Sequence, residues 1–112
     1  MDHLKVHETF LCKLVSTKRK KGGELLINTA KPLQLDILCE LILNTIKGVL
    51  PIPKQLQQKF TRYKLILRRL TLKCLKRLVR KELIIKYFLI VRDLVAAVLP
   101  LCGVIGKTQP HD

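Results

Sequence analysis

The chain has 112 residues, with 22 Lys plus Arg against 8 Asp plus Glu, a net charge of +14, and 48% hydrophobic residues. That length allows one domain with a modest core, and the apolar content excludes a disordered basic tail, which cannot bury enough surface to fold. The charge points to polyanionic partners, either nucleic acid or an anionic membrane surface; solubility alone, the plain alternative, rarely needs so one-sided a balance.

In chain order, residues 4–17 carry Leu4, His7, Leu11, Leu14 and Val15 on one side of a helix. The start, Met1 to Lys5, does not read as a secretory signal, because the apolar stretch after it is short and broken by charge; with the cysteines read as reduced, an intracellular protein is expected. His3 and His7 stand four apart beside Glu8, but no third ligand accompanies them and no metal is expected. Lys18, Arg19, Lys20 and Lys21 then form a basic run that fits a nuclear-import signal or a phosphate contact as well as a plain exposed loop. Gly22 and Gly23 follow and are expected to stop any helix there, with Leu25 to Thr29 as a further short turn.

Pro32 suits the first turn of a helix over 33–47, which Gly48 ends. Its polar residues Asp36, Glu40, Asn44 and Lys47 fall in one narrow stripe, which places this helix at the centre of the fold. After the stiff turn Pro51-Ile52-Pro53, a helix over 54–70 sets Leu56, Phe60, Tyr63, Ile66, Leu67 and Leu70 on one face. Lys54, Arg62, Lys64, Arg68 and Arg69 lie opposite. Thr71 reads as the N-cap of a helix over 72–82, with Leu72, Leu75, Leu78 and Val79 inward and Lys73, Lys76, Arg77, Arg80 and Lys81 outward. Residues 54–86 hold twelve basic residues and one acid, Glu82, so +11 of the net charge lies there. Residues 83–106 are apolar but broken by Lys86, Arg92, Asp93 and Pro100, and are too short between charges to span a bilayer.

Cys12, Cys39, Cys74 and Cys102 stand singly, with no CxxC pair, and read as reduced thiols. No Gly-rich phosphate loop, nucleophile elbow or carboxylate pair is present, so neither enzyme activity nor a cofactor is expected. Trp is absent and Phe and Tyr total five, which disfavours a base-stacking platform. A helix-turn-helix reader would place base-reading side chains early in its second helix, whereas Leu72 to Arg77 offer few. Contact with phosphates without sequence readout fits better.

The segments Leu25-Leu26, Thr29-Ala30, Leu35 to Glu40, Leu43 to Pro51, Lys54-Gln55, Tyr63-Lys64 and Leu67 to Leu70 occur in a familiar order. In this the chain resembles small basic proteins of adintoviruses and related polinton (Maverick) elements, over about half its length, from Leu25 to about Leu78. Some of those proteins have been likened to the DNA-condensing core peptide of adenoviruses. The resemblance implies packaging of viral DNA and a place in the virion core or host nucleus. The chain departs from the family after the basic block, where a Gly-rich apolar tail is usual and only Gly103 and Gly106 are kept.

The expectation is an all-α compact bundle of four to five helices around a hydrophobic central helix. A basic helical domain would occupy 1–82, an apolar helical segment 83–106 would pack on it or act at an interface, and 107–112 would be a tail. Its function would be sequence-independent binding of nucleic acid, DNA before RNA, through Lys54, Arg62, Lys64, Arg68, Arg69, Lys73, Lys76, Arg77, Arg80 and Lys81. The alternatives are a membrane-active or capsid-interaction protein acting through 83–106, and an adaptor whose basic face meets an acidic protein.

Overall fold

The structure, a computed structural model, describes residues 7–48 and 51–102, and their side chains as far as Pro100. Among these residues six α-helices follow one another: α1 (Glu8–Ser16), α2 (Lys20–Asn28), α3 (Pro32–Ile46), α4 (Lys54–Leu70), α5 (Arg77–Lys86) and α6 (Phe88–Val98), closed by a 3-10 turn at Leu99–Cys102. The described residues contain no strand. The all-helical bundle is as the sequence led one to expect, with two local differences, the first of which raises the number of described helices to six.

The first difference is α2, which runs through the glycine pair where a break was expected. Tertiary packing outweighs the cost of glycine in a helix, roughly 1 kcal/mol per residue. Gly23 is buried against the ring of Phe88, where a Cβ would come within 2.6 Å of the ring. The glycine is therefore what lets α2 approach α6. The second difference lies at 71–76, where a helix was expected from Leu72. Thr71 is the C-cap of α4, not the N-cap of a new helix: its hydroxyl donates to the Arg68 carbonyl at 2.8 Å. The next helix begins at Arg77, and Leu72 and Leu78, expected to face inward, are 45% and 75% exposed.

The central element is also not α3 alone. Leu35, Ile37, Leu38, Cys39, Leu41, Ile42 and Thr45 of α3 are buried, as its wide apolar arc requires. Pro32 starts it, the Lys31 backbone N–H donates to the Gln34 side chain at 2.8 Å, and Gly48 follows it at a φ of 82°. Yet α6 packs against all five other helices. Its Phe88, Val91, Leu94, Val95 and Val98 join Leu11 and Leu14 of α1, Ile27 of α2, Leu67 and Leu70 of α4 and Ile84 of α5 in one core. The expected boundary between residues 82 and 83 falls inside α5. No helix among the described residues is long and apolar enough to cross a membrane.

Two arginines tie the helix ends to this core. Arg92 of α6 donates to the carbonyls of Thr17 and Lys18, both at 3.1 Å, and holds Asp93 at 3.0 Å. It thereby anchors the link between α1 and α2 through two of that link's own carbonyls. Arg80 of α5 does the same at the end of α4, donating to the Leu70 carbonyl at 2.9 Å and to that of Leu72.

Candidate nucleic-acid interface

The candidate surface begins with α4. Seventeen residues give this helix a length of about 25 Å, and its buried residues Phe60, Leu67 and Leu70 fix one side against the core. Lys54, Arg62, Lys64, Arg68 and Arg69 consequently face solvent, and all five are exposed. At 100° per residue Arg62 and Arg69 run along one flank of the outer side and Lys64 and Arg68 along the other. Leu65, 80% exposed, stands between them. Neighbours four apart on one flank are separated by roughly 6 Å of rise, which suits successive contacts along a phosphate chain. Among the described residues, none of these five cations pairs with a carboxylate.

Beyond α4 the expected residues divide. Lys73, Lys76 and Arg77 are exposed on the turn and the first residue of α5, so they extend the basic surface past the end of α4. Lys81 is half-buried, with its ammonium 3.3 Å from the Asn28 carbonyl. Arg80 is a correction to the expected set. Its side chain is 14% exposed, lies 3.9 Å from Asp36, and holds the carbonyl of Leu70, the last residue of α4, and that of Leu72 just past it. A guanidinium fixed in this way is structural, because a phosphate would have to displace its bonds to two main-chain carbonyls, one of them belonging to the buried Leu70.

The same corner buries Cys39, whose thiol donates to the Leu70 carbonyl at 3.6 Å. Burial, only partly offset by the charge of Arg80, pushes its pKa up to about 11. The thiol thus stays protonated and is no nucleophile. Cys74 is exposed and Cys12 half-buried.

Lys18, Arg19, Lys20 and Lys21 are all exposed, but not as an isolated loop: Arg19 is the N-cap of α2 and Lys20 and Lys21 are its first two residues. No acid offsets them in that first turn, so their charge adds to the positive end of the helix dipole. Lys20 lines one cleft together with Lys59 and Arg62 of α4 and Lys86 at the end of α5. The structure therefore joins the basic run at 18–21 to one flank of α4. The expected set omitted Lys59 and Lys86, and with them Tyr63 and Tyr87, which line the same cleft. The sequence signal was there, since Tyr63 sits between Arg62 and Lys64 and Tyr87 follows Lys86.

Among the described residues no group of three His, Cys, Asp or Glu side chains is placed to hold a metal ion. His3, one of the two histidines weighed for such a role, lies outside the described residues. Comparison with models of protein families, with curated proteins and with solved structures finds no match to this chain.

Proposed function

We propose that this protein binds nucleic acid without sequence preference, duplex DNA before RNA, by laying the outer side of α4 and the following turn along the phosphate backbone. The observation that carries this reading is the row of five exposed α4 cations with no carboxylate partner among the described residues. Like charges held this close repel one another, and a polyanion relieves that repulsion while releasing its own counterions. The surface offers long flexible lysines and arginines instead of an ordered set of base-reading side chains, so it positions a backbone and does not read a sequence. Binding, with no catalytic step, is the whole of the proposed activity.

The resemblance to adintovirus and polinton proteins adds a setting to this reading: condensation of viral-type DNA, in a virion core or a host nucleus. The membrane-active alternative relies on the apolar stretch after residue 82. Phe88, Ile90, Val91, Leu94, Val95, Val98 and Leu99 of that stretch are already inside the bundle, so exposing them to lipid would cost the core. Gel-shift titrations with two duplex DNAs of unrelated sequence test the proposal. Affinities within about threefold are expected, and a preference above about a hundredfold, the scale of base readout at two or more positions, overturns it.

A further inference from the structure

The cleft between α2, α4 and the junction of α5 with α6 has a composition unlike the rest of the surface. Its volume is about 290 Å³, near the lower end of the ~300–1,000 Å³ typical of small-ligand sites. One nucleotide fits that space and a duplex does not. The chain's two tyrosines meet there: the rings of Tyr63 and Tyr87 lie 5.8 Å apart at an angle of 54°. Leu89, 46% exposed, and Ile90 complete an apolar wall.

Around this wall stand Lys20, Lys59, Arg62 and Lys86, four cations against the single carboxylate of Asp93. That carboxylate is held by Arg92 at 3.0 Å and approached by Lys59 at 3.8 Å, so much of its charge is already balanced. The Lys86 ammonium lies 5.6 Å from the centroid of the Tyr87 ring, which shows that a cation and an aromatic face are presented together. Tilted rings lining an open cleft leave aromatic surface for a third ring, in the offset geometry that aromatic pairs prefer.

We infer that this cleft is a separate site for one unpaired nucleotide, taking the base against Tyr63, Tyr87 and Leu89 and the phosphate between Arg62, Lys20 and Lys86. The inference rests on the proposed nucleic-acid binding and deepens it. Duplex DNA would lie along α4, while a single-stranded end or a frayed base would enter the cleft beside it. Only a ligand with both a flat ring and an anion uses both halves of the lining. A bare phosphate chain uses the cations alone.

The chain has no Trp, so its intrinsic near-ultraviolet emission comes from Tyr63 and Tyr87 and reports on this cleft. The test titrates the full chain, in parallel, with a thymidine decamer, with an abasic decamer of equal phosphate number, and with duplex DNA whose ends are closed by hairpins. The expected result is strong quenching by the thymidine decamer and little by the other two, with the thymidine decamer binding about tenfold more tightly than the abasic one, the factor that about 1.4 kcal/mol of stacking supplies. Tyr87→Leu should remove that preference and leave binding to closed duplex unchanged; the wild-type titration decides the matter even where the variant folds poorly. Duplex binding with unchanged tyrosine emission and equal affinity for both decamers overturns the cleft but keeps the α4 surface. Binding to none of the three overturns the α4 surface as well.

Discussion

The arginines of α4 and those of α5 and α6 have the same side chain and opposite uses. Arg62, Arg68 and Arg69 are exposed and meet no carboxylate among the described residues. Arg80 and Arg92 are half-buried and donate to main-chain carbonyls at the ends of α4 and α1. The difference is set by what lies within reach. A helix end leaves carbonyls without partners, and a guanidinium from a neighbouring helix can satisfy two at once; the middle of an outward helix face offers no such acceptor. A count of basic residues thus overstates the surface available to a polyanion, which is left with the outward cations of α4, of the turn after it and of the run at 18–21.

This contrast can be broken or sharpened by substitution. The largest effect is expected at Arg80. Arg80→Met removes the charged donor from the carbonyls of Leu70 and Leu72, leaving the first only the Cys39 thiol and the second only the Leu75 N–H, at a cost of about 2–3 kcal/mol, the scale of hydrogen bonds to charged groups, measurable by urea denaturation. A loss below about 0.5 kcal/mol, the scale of ordinary surface changes, would mean that Arg80 belongs with the α4 cations after all. The glycine pair makes the same contrast between neighbours. Gly23→Ala drives a methyl into the Phe88 ring and should cost about 1–3 kcal/mol. Gly22→Ala meets the Thr17 methyl at 3.2 Å on an exposed position and should shift the thermal midpoint far less.

Cys39 reports on the corner that Arg80 holds. A thiol whose folded pKa is raised stabilises the fold below its unfolded value, and that contribution is lost as pH climbs through the folded value. Relative to Cys39→Ala, the wild-type chain should therefore lose about 1 kcal/mol per pH unit from pH 9.0 towards about 11. Denaturation of both proteins at stepped pH checks the sign. The buried Cys39 should also resist alkylation under native conditions while the exposed Cys74 reacts, as peptide mass mapping would show. The smallest change in stability is expected on α4. Arg68→Met and Arg69→Met should each stay within about 0.5 kcal/mol of wild type, while each lowers the salt slope of DNA binding by about 1.

Much of this was legible in the sequence. The limits of α4, Lys54 to Leu70, follow from Pro53 and from an apolar stripe with helical period, and those of α3 from Pro32 and Gly48. Local signals misled where a distant partner decides the outcome. Gly23 reads as a helix breaker until Phe88, far along the chain, explains the need for close approach. Thr71 reads as an N-cap until Arg80 is seen to gather the end of α4. The apolar stretch after residue 82 reads as a segment packed on the basic domain or acting at an interface, yet Arg92 within it locks α6 to the link between α1 and α2. The basic face of α4 needed only periodicity; the cleft that joins Lys20, Arg62 and Lys86 needed the tertiary fold.

The phosphate surface of α4 is most exposed to refutation by the salt dependence of duplex DNA binding. Wild-type protein contacting about six phosphates should give a slope of log K against log salt near −5. Replacing Lys54, Arg62, Lys64, Arg68 and Arg69 together by Gln should bring it to about −1, with the helical circular dichroism unchanged. A wild-type affinity that ignores salt, or a slope that survives the fivefold replacement, would contradict the assignment of the phosphate surface to α4.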